Sequence, residues 1–228
     1  LMERRFEAYK AKVVEPFFRN HFQRVDRQIV LVDVLAAVDA GPAALAELEE
    51  ALDTVLLSFR IGRNTILSRL FAPRADRIMF AATKADHLHQ TSHDRLEALL
   101  RLLVSRAMRR TEAAGARVGT VALASVRATR ETTVHDDGMT LRAVSGTPEA
   151  GEHVGDEIFD GRSEAAVFPG ELPSRPESVL DGAVPPGSLR FPRFRPPLIR
   201  PDAHGRPGHL PQIRLDRAMQ FLIGDKLT

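Results

Sequence analysis

Three short apolar runs, two of them rich in β-branched residues, constrain this chain more than any other feature. Gln28-Ile-Val-Leu-Val32 is a short continuous apolar run, the look of a strand buried on both faces, and Arg77-Ile-Met-Phe-Ala-Ala82 and Val118 to Ala124 read as a second strand and a third apolar run. Helical stripes separate them. After Gly41-Pro42, where Pro suits the first helical position, come Leu45, Leu48, Leu52, Val55, Leu56 and Phe59. A second helix opens near Asp94 with Leu96, Leu99, Leu100, Leu103, Val104, Ala107 and Met108 on one face, and Gly115 stands where a C-terminal cap belongs. Strand, helix, strand, helix, strand predicts an α/β fold with a parallel sheet joined by right-handed crossovers.

The flanks differ in character. Residues 3–22 place Phe6, Tyr9, Lys10, Val13, Phe17 and His21 near helical spacing, with Pro16 expected to break the helix. All but three of the 15 prolines fall at or after Pro148, so the later chain reads as loops, short strands and extended segments. Glycines between 138 and 170 suggest hairpins or an irregular cap, and Arg190-Phe-Pro-Arg-Phe-Arg-Pro-Pro197 must be extended. That last segment reads as a strap across the domain or as a docking peptide for a partner. A short helix is expected from Leu215 to Lys226. The expected organisation is a core over 1–130, an irregular α+β insertion and strap region over 131–212, and a C-terminal helix over 213–228 docking on the core.

Composition removes several classes of function. There is no Cys, which excludes disulfides, thiol nucleophiles and Cys-ligated zinc or iron–sulfur sites and fits a reducing compartment. The longest apolar run, Ile29 to Val38, is interrupted by Asp33 and falls short of the roughly 18 residues a membrane span needs. The expectation is a cytoplasmic protein without a transmembrane segment. The first residues carry charges of both signs, unlike a secretory signal. An acidic middle, 131–185, lies between basic flanks, and no stretch interleaves Lys/Arg with aromatics as a nucleic-acid surface does. No nucleic-acid partner is expected.

Candidate chemistry lies at the strand ends, where ligands of open α/β sheets bind. Ile29-Val-Leu-Val-Asp33 has the form of a Walker B strand, whose Asp holds magnesium, usually through water, against nucleotide phosphates; the alternative is an Asp capping the following turn. Thr83-Lys84-Ala85-Asp86 follows the second strand and resembles the guanine-recognition motif of GTPases, Asn/Thr-Lys-x-Asp. A carboxylate at Asp86 can accept from guanine N1–H and the 2-amino group together, whereas adenine offers a lone pair at N1 and no amino group at C2. The stem of Lys84 can cover the base, and the Thr83 hydroxyl can tie the loop to a neighbour. Ser125, Val126 and Arg127 follow the third strand and are base-site candidates, the first two through their backbone. His87, His89 and His93 also permit a metal reading, with a polar loop entering the helix as the plainer account.

A phosphate-cradling Gly-x-x-x-x-Gly-Lys-Ser/Thr occurs nowhere in these residues, and the first residue is Leu rather than Met. Both features suit the C-terminal part of a longer NTPase, inactive in hydrolysis on its own. No catalytic residue is assigned.

Five segments carry a specific resemblance: Pro16-Phe-Phe-Arg-x-His-Phe-x-Arg24, Asp26-Arg-Gln-Ile-Val-Leu-Val-Asp-Val-Leu35, Ala81-Ala-Thr-Lys-Ala-Asp-His-Leu-His89, Ala128-Thr-Arg-Glu-Thr132 and Leu189-Arg-Phe-Pro-Arg-Phe-Arg-Pro-Pro197. From about residue 3 to the end the chain resembles the YcjX family of bacterial stress-associated P-loop NTPases. The resemblance implies a Ras-like P-loop core with family insertions that binds GTP or GDP with magnesium. It also implies a Gram-negative-type source and an inner-membrane stress-protein partner, which would bring the protein to that membrane peripherally. The alternatives are an ATPase of the same fold and a non-catalytic interaction module with a decayed nucleotide site.

Overall fold

Parallel pairing of the three apolar runs sets the architecture. The computed structural model describes residues 2–20, 25–57, 75–136, 138–199, 201, 204–205 and 208–227. Strands β1 (Arg27–Val32), β2 (Arg77–Ala82) and β3 (Arg117–Ala122) form a parallel sheet in that order. Their register is level: Arg27 pairs with Arg77 and Arg77 with Arg117, and Val32 pairs with Ala82 and Ala82 with Ala122. All three strands therefore end in line, which brings the loops after Val32, Ala82 and Ala122 side by side.

Helices α3 (Val34–Ala40), α4 (Pro42–Leu57), α5 (His93–Leu103) and α6 (Ser105–Ala113) build the main core. Val32, Ile78, Phe80, Ala82 and Ala122 meet Leu35, Leu45, Leu96 and Leu100 there. Helix α3 was not legible as a helix. It is seven residues long, buries Val34, Leu35 and Val38, and stops at Gly41, whose φ of +98° suits glycine. The single helix expected from Asp94 onward is two, because Val104 leaves helical geometry at φ −93°, ψ 7°. The stripe survives the break, since Val104 and Ala107 are both buried. Phe59 and His21 lie outside the described residues.

The N-terminal segment runs through α1 (Met2–Tyr9), a π turn at Lys10–Val14 and α2 (Glu15–Asn20). Pro16 does not break it. The Glu15 N–H bonds to Lys10 O, and a π turn of this kind is one way a helix accommodates a proline.

The later chain adds an antiparallel sheet of β4 (Arg130–Asp136), β5 (Met139–Gly146) and β8 (Ala165–Val167) in that order, with a small hairpin of β6 (His153–Val154) and β7 (Glu157–Ile158). Val144, Phe159, Val167 and Phe194 form its core. Helix α7 (Glu177–Leu180) follows. The Asp39 side chain accepts from Leu189 N and its carbonyl accepts from Gly187 N, tying this region back to α3. The segment 190–197 forms no helix and makes one antiparallel bridge, at Phe194. Phe194 pairs with Pro148, and a Cβ on Gly146 would come within 2.8 Å of the Phe194 ring and 3.0 Å of Ala128 O.

Helix α8 (Leu215–Ile223) ends sooner than expected, passing into a 3-10 turn at Gly224–Lys226. Ala218 and Leu222 cover Met79, Ala81, Val121 and Leu123 on the second face of the parallel sheet. Arg214 and Arg217 anchor the helix on buried Glu97, at 2.9 and 3.2 Å. On β1 the same face is less covered: Ile29 is 40% and Leu31 61% exposed.

Candidate functional site at the strand ends

The level strand register decides what meets here. The N–H and hydroxyl of Thr83 both donate to Val32 O, at 2.9 and 3.3 Å, which ties the loop after β2 to the end of β1. On the other side Leu123 N donates to Ala82 O at 2.7 Å and Ala85 N to Leu123 O at 3.1 Å. The Thr83 hydroxyl thus links its loop to a neighbouring element, as its position in the motif anticipates.

Lys84 follows with φ +61°, a left-handed conformation that costs a side-chain-bearing residue about 1–2 kcal/mol. It turns the chain into a 3-10 turn at Ala85–His87. The ammonium lies 2.6 Å from Asp33 Oδ2. Asp33 Oδ1 accepts from Ala36 N at 3.2 Å, so Asp33 is also the N-cap of α3. The turn-capping alternative therefore describes a contact that Asp33 makes, alongside the ion pair.

Asp86 is only 6% exposed. Its Oδ2 accepts from Ala128 N at 2.9 Å, and its carbonyl accepts from the Thr129 hydroxyl. A buried carboxylate needs such donors. Neither Ala128 nor Thr129 was singled out for chemistry, and a backbone N–H contact leaves no trace in residue type. Among the described residues Oδ1 accepts no hydrogen bond.

A cavity of about 530 Å³ opens over these loops, lined by Thr83, Lys84, Asp86, Ser125 and Val126 together with His87 and Phe194. Arg127 is not part of that lining. Its guanidinium turns to Thr129 O and Glu131, and its N–H donates to Pro211 O. The three histidines do not converge either. His87 packs edge-on against Phe191 and Phe194 at 6.1 and 5.9 Å, His89 accepts from Thr91 N, and His93 Nε2 lies 3.3 Å from Leu88 O. Burial pushes both His87 and His93 below the usual imidazole range.

For magnesium the donor set is a single carboxylate, Asp33; among the described residues no group of three or more His, Cys, Asp or Glu could hold a metal ion. Magnesium keeps several waters and takes one or two carboxylates plus substrate phosphates. Asp33 fits that chemistry as one water-mediated partner once its bond to Lys84 opens.

The family model described as "YcjX-like family, DUF463" matches residues 1–227. The protein named Ras-like GTPase YcjX from Escherichia coli (strain K12) is 38% identical over 229 residues, covering 100% of this chain and 45% of the relative. Its namesake from Shewanella oneidensis is 35% identical over 228 residues, covering 100% of this chain and 44% of the relative. The chain thus spans just under half the length of these curated relatives. On this match across its whole length, the chain belongs to the YcjX-like family.

Proposed function

We propose that these residues form the base-binding side of a Ras-like P-loop NTPase core that takes GTP or GDP with magnesium. The observation that carries the reading is the convergence of Thr83, Lys84, Asp86, Ser125 and Val126 on one cavity, with Asp33 one strand away and bonded to Lys84. The names of the relatives, Ras-like GTPase, support the same reading. Asp86 would accept from guanine N1–H and the 2-amino group, since each carboxylate oxygen has two lone pairs and Ala128 N occupies one of them. The Lys84 stem would cover the base, and the backbone of Ser125 and Val126 would face its O6 edge. Arg127 acts at this site only by holding the loop, through Thr129 O and Glu131.

Both Lys84 and Asp33 must leave their mutual ion pair to play these parts, the one for the base and the other for a water on magnesium. Magnesium when bound would neutralise phosphate charge. Residues 1–130 would belong to the core, 131–212 to an insertion and strap, and 213–228 to a helix docked on the core. A bacterial stress role, a cytoplasmic location and an inner-membrane protein partner complete the proposal on the strength of family membership.

The test uses the protein together with its phosphate-binding residues. Asp86→Asn places an amide donor against the 2-amino donor of guanine, whereas xanthine has a carbonyl there. Competition among GTP, ATP and XTP should show GTP preference replaced by XTP preference. An unchanged ranking removes the guanine assignment, and ATP preference in the unaltered protein favours the adenine alternative.

A further inference from the structure

A second cavity, of about 570 Å³, lies on the other side of the 127–130 segment. It shares Ala128 and Pro196 with the cavity over Asp86, but its walls are of a different kind. Arg127, Arg130, Arg162 and Arg195 are among its lining residues, and among the described residues the one acidic side chain in the lining is Glu164. Such a volume suits a small-molecule site.

The charges there are not balanced. Arg127 is held by Glu131, and Arg130 is held by Glu164 at 3.1 Å. Asp160, the remaining carboxylate nearby, accepts from the N–H groups of Arg162 and Ser163 and from the Ser163 hydroxyl. Arg195 donates to Gly161 O at 2.8 Å, a neutral partner that leaves its positive charge unmatched. Among the described residues no carboxylate lies within ion-pair distance of the Arg162 or Arg195 guanidinium. Two arginines with neutral or no side-chain partners, and two more each matched by one anion, thus line one concave space. Guanidinium groups pair with oxyanions through two parallel hydrogen bonds, and several around one cavity favour a dianion over a monoanion.

Three segments far apart in sequence build the site, with Arg162 and Glu164 on the loop before β8. Arg127 and Arg130 follow β3, and Arg195 comes from the extended strap, whose backbone N–H at Arg195 donates to Thr147 O at 2.8 Å. The strap thus holds the Arg195 backbone in place without the ligand, and Gly161 O holds its guanidinium.

We infer that this cavity is an oxyanion site, separate from the nucleotide cavity, that holds a phosphate- or carboxylate-bearing dianion between Arg162, Arg195 and Arg130. Glu164 competes with the ligand for Arg130.

Calorimetric titration of the 228-residue chain with inorganic phosphate and, separately, with succinate tests the inference and tells the two sources apart. Saturable binding of at least one is expected. Arg162→Glu, at an exposed side chain with no ion pair among the described residues, should weaken it at least tenfold. Glu164→Gln should strengthen it a few-fold by releasing Arg130. The opposite signs separate a local site from general loss of fold, which would weaken both variants. No saturable binding of either anion overturns the inference, as does binding that neither variant changes.

Discussion

Lys84 Nζ lies 2.6 Å from Asp33 Oδ2, although the two residues are 51 positions apart and stand on loops of different strands. Asp33 meanwhile caps α3 through Oδ1. One carboxylate therefore has two jobs, and substitutions can separate them. Asp33→Ala should lower stability by about 1 kcal/mol through the lost cap, whereas Asp33→Asn keeps an acceptor for Ala36 N and should unfold in urea near the parent midpoint. In a nucleotide-competent protein Asp33→Asn should still weaken magnesium-dependent triphosphate binding far more than metal-free diphosphate binding. Equal losses for both nucleotides would leave Asp33 only its capping role.

Lys84 sits at φ +61°. Lys84→Ala and Lys84→Gly both delete the exposed ion pair, worth at most about 1 kcal/mol, but only glycine adopts that backbone without strain. Lys84→Gly should therefore be more stable than Lys84→Ala by about 1 kcal/mol. Thermal unfolding of the two purified variants measures the difference, and the reverse order would contradict the left-handed turn.

His87 and His93 are held below their ordinary value of 6.5, chiefly by burial. For His87, Asp86, Asp33 and Glu152 oppose the shift and Lys84 reinforces it. A depressed imidazole pKa means that the unfolded chain binds protons first as pH falls. The stability is then fully present above pH 6.5 and is lost as pH drops below it. Urea midpoints should decline from pH 7 to pH 5.5, and His87→Phe, which keeps a ring beside Phe191 and Phe194, should flatten that decline. A variant with the parent's slope would remove His87 as a contributor.

Glu97 is 8% exposed and receives Arg214, Arg217 and the Thr120 hydroxyl. Glu97→Ala should cost about 2 kcal/mol, the scale of hydrogen bonds to a charged group. It should also loosen α8, making the chain more sensitive to trypsin after Arg217. Unchanged cleavage would mean that apolar contacts alone hold the helix.

Much of the parallel sheet was legible because the apolar runs Ile29 to Val32, Ile78 to Ala82 and Val118 to Ala122 mark its strands. Burial on both faces holds for β2 but fails for β1, whose Ile29 and Leu31 are exposed because α8 covers β2 and β3 instead. The same runs placed Asp33 and Thr83 to Asp86 at strand ends, since a strand's end is where its apolar run stops. What escaped depends on long-range or single-residue geometry. The Ala128 N–H reaches Asp86 across 42 residues, and every residue except proline carries such a donor. Helix α3 is too short to display a period. Val104 interrupts α5 and α6 without disturbing the stripe, so no periodicity argument could find the break. Arg127 had the right position in the chain, but its guanidinium bonds to Thr129 O and Glu131, contacts that residue order alone does not reveal.

The docking of α8 has a consequence for how the chain is made. Met79, Ala81, Val121 and Leu123 are synthesised long before Ala218 and Leu222, the residues that cover them. Arg27 and Arg77 likewise wait for Asp225. On the ribosome, one side of the sheet therefore stays bare until residues 215–225 emerge. A nascent chain stalled before Leu215 would offer that bare side to chaperones or to its own copies, and emergence of α8 would withdraw it.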